Sequence, residues 1–243
     1  MRRPYRILGL SLILAGIIFA PVSYFVINSA PLAAAGVSTL VLGFTCFALA
    51  GTRPNISPEA AEALLEAGAE NIAALLEELF LHNKAIYLPS AMTDNRPRAI
   101  IPFTDKPVRR VGHPVSGRLV VRFGAEPDEL AIAVSTPGGA NLKMVQEMLG
   151  PTRAQLESAM SRVLVGVLDM ATSVGVAMED HRLRVEIAGA RLHSENVWYR
   201  GSLGSPLASV VAAISAEGLG KPVRIRSETF QKRRTVVDIE VLE

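Results

Sequence analysis

The sequence predicts an α+β fold: an N-terminal transmembrane helical hairpin followed by a mostly antiparallel sheet packed with helices. Three observations carry this. Residues 7–52 contain no Asp, Glu, Lys, Arg or His, a run of 46 uncharged positions. No second stretch of that kind follows Thr52, which argues against a transporter with many spans and leaves one small anchor. Downstream, runs with the two-residue period of strands are grouped apart from runs with helical period, the pattern of α+β rather than of a doubly wound sheet.

The apolar run is long enough for two crossings, since a hydrocarbon core of roughly 30 Å takes about 20 residues of helix. Asn28, Ser29 and Pro31 divide it, giving expected spans of about 7–27 and 32–51. Arg2, Arg3 and Arg6 precede the hairpin, Arg53 follows it, and its loop is uncharged. The positive-inside rule then places both termini in the cytoplasm, with an integral-membrane protein of two spans in the cell membrane. The rival reading is a cleaved signal peptide, but a second apolar span follows at once, and cleavage after Ala30 would put Pro31 at the unfavourable +1 position. Gly9 and Gly16 are seven residues apart, as are Gly36 and Gly43, and Gly16 and Ala20 form a small-xxx-small pair. Small residues let membrane helices approach closely, so these five are the expected packing positions of the hairpin or of an oligomer.

The expected organisation is a hairpin over 1–52, a linker and amphipathic helix over 53–83, and a cytoplasmic α+β domain over 84–243. Ser57 and Pro58 read as N-cap and first helical residue. Leu64, Leu65, Ile72, Leu75, Leu76 and Leu79 then mark a helix over about 58–81. Short strands follow at 84–88 and 98–103, punctuated by prolines, then a turn-rich loop over 104–117 and a hairpin of strands at 118–123 and 130–135. Thr136-Pro-Gly-Gly139 reads as a break before a short helix at 141–149. A longer helix over 152–174 opens with Thr152 and Gln155 in capping-box relation. Residues 182–187 alternate cleanly as a strand, residues 190–200 are undecided with a short strand possible among them, and 206–218 is a helix of small residues closed by Gly218-Leu-Gly220.

Two strands end the chain, at about 222–229 and 234–242. A turn centred on Lys232 would set Arg224 opposite Glu240 and Arg226 opposite Asp238, pairs that contribute about 0.2–1 kcal/mol each.

Composition narrows function. Residues 53–243 hold 22 basic and 23 acidic residues, so the soluble part is near neutral and no nucleic-acid partner is expected. The one cysteine, Cys46, lies in the apolar run, which excludes an intrachain disulfide and a cysteine-based zinc site. His82, His113, His181 and His193 form no HExxH pattern. No metal and no cofactor are expected, and no serine, cysteine or carboxylate pair forms a catalytic constellation. The candidate ligand positions are Trp198, Arg200, Gly201, Ser202, Gly204 and Ser205: an aromatic and a guanidinium beside a glycine-rich turn whose N–H groups point at the start of a helix. The alternative reading is a buried aromatic anchor next to an ordinary cap.

Arg53-Pro-Asn-Ile-Ser-Pro-Glu-Ala60, Glu66-Ala-Gly-Ala-Glu-Asn-Ile72 and Tyr87-Leu-Pro-Ser90, following an uncharged hairpin, resemble a group of uncharacterised archaeal two-span membrane proteins with a cytoplasmic domain of unknown function. The resemblance brings no activity. Residues 201–242, a small-residue helix followed by Pro222-Val-Arg-Ile225 and a closing strand, are similar to the end of 4-vinyl-reductase-type ligand-binding domains. Those often carry cysteines here and this chain has none, which puts metal-dependent versions in doubt. The first expectation is therefore a non-enzymatic membrane-anchored domain that binds a protein partner or self-associates on the lipid bilayer. The alternatives are a small-molecule sensor with a pocket near Trp198 and 201–205, and an enzyme of unknown class.

Overall fold

The structure, a computed structural model, describes residues 2–52, 58–104, 106, 108, 110–112, 114–142, 145, 149–190, 197–231 and 234–242. The chain divides into two compact units, 1–64 and 65–243.

The first unit is built from helices α1 (Arg2–Phe25) and α2 (Ala30–Thr52), joined by a short link in which Asn28 takes a left-handed φ of 58°. Both are long and apolar enough to span a membrane. They run antiparallel with glycines at the contact. A Cβ on Gly16 would lie 2.8 Å from the Leu40 backbone nitrogen, one on Gly36 2.7 Å from the Ala20 Cα, and one on Gly43 2.7 Å from the Ile13 nitrogen. A Cβ on Gly9 would meet the Phe47 nitrogen at 2.9 Å. The seven-residue spacing keeps these small residues on one seam, as a heptad does for a left-handed pair. Leu10, Leu14, Ile17 and Val41 point outward and are exposed, the face that lipid would cover. The expected linker at 53–57, with the Ser57 cap, lies outside the described residues.

Helix α3 (Pro58–Glu78) ends close to where its apolar pattern stops, and Ala73 and Leu76 are buried in the second unit's core. That core lies between helices and one antiparallel sheet of eight strands, in the order β3-β4-β2-β1-β7-β8-β6-β5. The strands are β1 (Ile86–Leu88), β2 (Arg98–Pro102), β3 (Val120–Arg122), β4 (Leu130–Val134), β5 (Ser173–Glu179), β6 (Arg182–Ala188), β7 (Val223–Gln231) and β8 (Arg234–Val241). Strand alternation sends Tyr87, Ala99, Ile101, Ile132, Leu183, Val185, Val237 and Ile239 to the helix-bearing face. Ile86, Leu88, Ile100, Ala131 and Ala133 face the other way, where the loop carrying Val111 and Val115 covers them in a smaller core.

The central helix is α7 (Pro206–Leu219), buried from Pro206 through Ala216. Ser205 caps it, its hydroxyl accepting from the Ala208 N–H at 3.1 Å, and Gly220 closes it in the left-handed region at φ 63°. Together with α6 (Val197–Leu203) this stretch has the length and hydropathy of a third span, but 89% of it is buried inside the folded unit. Its apolar character serves a core.

Several sequence expectations are corrected. Thr136-Pro-Gly-Gly139 is not a break: Thr136 is the N-cap of α4 (Pro137–Asn141), and its hydroxyl accepts from the Gly139 N–H. Much of the expected 141–149 helix lies outside the described residues. The helix expected over 152–174 is shorter. α5 (Arg153–Ser161) carries the expected capping box, widens into a π-helical turn at Arg162–Val167, and gives way to β5 after Asp169, whose φ is 49°. Residues 197–200, left undecided by the sequence, are helical and open α6. The edge strand β5 is partly shielded: the Val176 N–H donates to the Glu157 carboxylate at 3.1 Å, which occupies a group that an intruding strand would use.

Candidate ligand cleft

The last hairpin positions the site. Arg224 pairs with Glu240 as the alternation requires, with Nη2 at 2.7 Å from Oε2, and this hydrogen bond holds the Glu240 carboxyl below its usual pKa. Arg226 does not pair with Asp238. The register shifts between Ile225 and Ser227, so Asp238 faces Ser227 instead and accepts its hydroxyl at 2.9 Å. Arg226 is the extra residue of a β-bulge. A one-residue slip moves every following side chain to the other face. Glu228 is thereby paired with the core residue Val237 and sent to the helix side, instead of pointing outward opposite Val236.

There Glu228, with its side chain only 7% exposed, meets the start of α7. Its carboxylate accepts the Ser205 N–H at 3.1 Å and the Ser205 hydroxyl. An anion at a helix N-terminus is favourable because unpaired N–H groups converge there. Arg200 completes the cluster: its Nε lies 3.9 Å from Glu228 Oε2, and its guanidinium sits 4.3 Å from the centre of the Phe230 ring. Among the described residues the Arg200 side chain makes no hydrogen bond, so its donor fork stays open. Lys84 approaches from the segment before β1. Its ammonium donates to the Arg226 carbonyl, and burial, then the charges of Arg224 and Arg226, hold its pKa below the ordinary lysine value. The Ala85 N–H donates to the Ser202 carbonyl at 2.8 Å, tying this segment to α6.

These groups line an open cleft of about 360 Å³, bounded by Lys84, Val197, Arg200, Gly201, Ser202, Gly204, Ile225, Ser227 and Glu228. Of the sequence candidates, Arg200, Gly201, Ser202 and Gly204 line it. Gly204 adopts a φ of 75°, and a Cβ there would strike Ile225 Cδ1 at 2.7 Å. Ser205 lies just behind as cap and donor to Glu228. Trp198 is not part of the lining. Its ring stacks on His82 at 4.7 Å between centroids, and it packs against the core. Sequence reasoning missed Lys84, Val197, Ile225, Ser227 and Glu228. The signal for Glu228 was Phe230, an apolar residue out of phase with Val223 and Ile225, which is what a bulge between them produces.

Behind the cleft is a buried phenol pair. The Tyr87 hydroxyl donates to the Leu203 carbonyl at 2.6 Å, and burial pushes its pKa up. Burial likewise pushes Tyr199 up to about 12. Both are neutral structural groups near pH 7. Among the described residues no cluster of three His, Cys, Asp or Glu side chains could hold a metal. What the cleft offers is charge recognition beside small apolar walls.

No curated protein and no solved structure matches the chain. A family model described as a domain of unknown function, DUF7982, matches residues 1–241, and the chain belongs to that family.

Proposed function

We propose that this protein is a membrane-tethered binding domain that takes a small molecule in the cleft between α6 and β7. The single observation that carries the reading is the convergence of Lys84, Arg200 and a helix-bound Glu228 on one open cavity of about 360 Å³, within the size range of ligand sites. The apolar hairpin serves as anchor, with both termini in the cytoplasm by the positive-inside rule. The archaeal two-span proteins it resembles have the same arrangement. A topology reporter fused after Glu243 tests the orientation, and an extracytoplasmic signal overturns it.

The binding test is native mass spectrometry of the full chain, released gently from its own membranes. Wild type is expected to carry a reproducible extra mass. Gly201→Trp is expected to lose it, because a side chain at Gly201 enters the cleft without meeting any atom within 4 Å at its Cβ. The same mass on both proteins would place binding elsewhere, and a bare wild-type chain would count against the reading.

A protein partner or a second copy is the other reading. Phe103, Val120 and Leu130 are 38%, 51% and 37% exposed on the helix-bearing face beside edge strand β3. Contiguous exposed apolar surface of this kind marks interaction sites. Val120→Glu should then shift the oligomeric mass measured by light scattering.

A further inference from the structure

The charges around the cleft are unequally satisfied, and this restricts what the cleft takes. Glu228, the only acid in the lining among the described residues, is already engaged by two donors of Ser205 and by the Arg200 charge. The neighbouring acids Glu240 and Asp238 are engaged by Arg224 and Ser227. The two cations of the lining keep donors in reserve. Arg200 presents its N–H fork with no hydrogen bond among the described residues, while stacking on Phe230 limits its motion. Lys84 uses one donor on the Arg226 carbonyl, which leaves two of an ammonium's three.

From this we infer, on the strength of the binding reading above, that the cleft is an oxyanion site. It takes a small organic anion whose carboxylate or phosphate group faces Arg200 and Lys84 and whose apolar body lies on Val197 and Ile225. A guanidinium suits either group because its parallel N–H donors match two oxygens. A guanidinium held by an aromatic face loses less freedom on binding than a free one. A cationic ligand would meet two like charges and, among the described residues, no free acid. A neutral one would leave the fork unanswered. Lys84, partly buried and crowded by Arg224 and Arg226, is held in its charged form by an arriving anion. The cavity is near the lower end of ligand-site volumes, about 300–1,000 Å³, which favours a compact molecule over a dinucleotide.

The experiment is calorimetric titration of the full chain in neutral detergent micelles with benzoate, phenyl phosphate and benzamide. Benzamide has the shape of benzoate without its charge. At least one anion is expected to bind, with benzamide about tenfold weaker or more, a difference of one well-made charged contact. Arg200→Gln and Lys84→Met should each weaken the anion about tenfold, and Arg200→Lys should recover part of the loss because it restores charge without the fork. Unchanged Trp198 emission and melting would show that these variants are folded. Benzoate ahead of phenyl phosphate assigns a carboxylate ligand, and the reverse order a phosphorylated one. Equal binding of benzamide and benzoate overturns the oxyanion assignment while leaving the binding reading intact. Anion binding that survives both substitutions, or no heat from either anion, also overturns it. Failure of the binding reading itself is seen separately, in the native mass of Gly201→Trp.

Discussion

Gly138→Ala isolates the close approach of α4 and α7. Gly138 is buried in the first turn of α4, and a methyl group there would lie 2.4 Å from the Ser209 carbonyl oxygen, 2.7 Å from the Ala213 Cβ and 2.8 Å from the Val210 Cα. Its φ is not positive, so alanine meets no backbone penalty and the effect is steric. Two of the three atoms struck belong to the α7 backbone, which has no rotamer to change. Relief requires the helices to part by roughly 1 Å, and inserting one methyl into a packed core costs about 1–3 kcal/mol, the upper half applying where backbone must move. In a domain of this size each kcal/mol lowers Tm by about 2–4 °C, so a fall of roughly 4–12 °C is expected. The assay is thermal unfolding followed by tryptophan emission. Trp198 is the only tryptophan and lies in the second unit, so the hairpin adds no signal. Gly201→Ala is the control: its Cβ enters open space on α6, and replacing a helical glycine should hold or raise stability. If Gly138→Ala melts with the wild type, α4 yields without cost and the close-packing argument is wrong.

Tyr87→Phe should cost about 1–3 kcal/mol in denaturant unfolding, because it leaves the buried Leu203 carbonyl without its donor; an unchanged midpoint would show that another group takes its place. Alkaline pH should destabilise the second unit through Tyr87 and Tyr199. Their folded pKa values lie above the ordinary tyrosine value near 10, so the folded chain holds more protons than the unfolded one. That contribution is complete below pH 10 and is lost as pH rises toward 12, on the order of 3 kcal/mol for Tyr199 alone. Phenolate absorbance in a Tyr5→Phe/Tyr24→Phe background checks this, and ionisation near pH 10 without unfolding would refute it. In the hairpin, Gly36→Leu should separate the helices, since even a Cβ would meet Ala20 Cα at 2.7 Å. Spin labels at the exposed Leu10 and Leu42, with Cys46→Ser, should then report a longer and broader distance, and an unchanged distance would show that the seam absorbs the side chain.

How much of this was legible in the sequence depended on whether local pattern or long-range pairing decided the outcome. The uncharged run, the clean alternation of β6, the Thr152–Gln155 capping box and the Ser205 cap are local, and they stand where the sequence puts them. Strand β5 was not legible. Val174 and Met178 follow Val163, Val167 and Met170 closely enough to extend a helical face, and only the π-turn, the left-handed Asp169 and pairing with β6 separate them. Helix α6 was hidden for the opposite reason. Val197, Trp198 and Tyr199 are strand-prone residues, and burial of Tyr199 and Leu203 against the core outweighs that preference.

The cleft falls between these cases. Its α6 residues form one continuous turn and could be nominated from the sequence, whereas Lys84 and Glu228 lie far along the chain and arrive through the sheet. For Glu228 the deciding event is the bulge at Arg226. With strict two-residue alternation after Ile225, Glu228 would lie in the charged outer row with Arg224 and Glu240, and the start of α7 would have no carboxylate. One extra residue turns Glu228 inward, satisfies the Ser205 donors and places an opposite charge beside Arg200. The same slip carries Phe230 under the Arg200 guanidinium. A single register shift in β7 thus supplies both the acid and the aromatic face that hold Arg200 at the mouth of the cleft. Deleting Arg226 removes only the extra residue and leaves Glu228 opposite Val237 and Phe230 opposite Thr235, so a crystal structure of the deletion variant should keep both contacts and the outer Arg224–Glu240 pair.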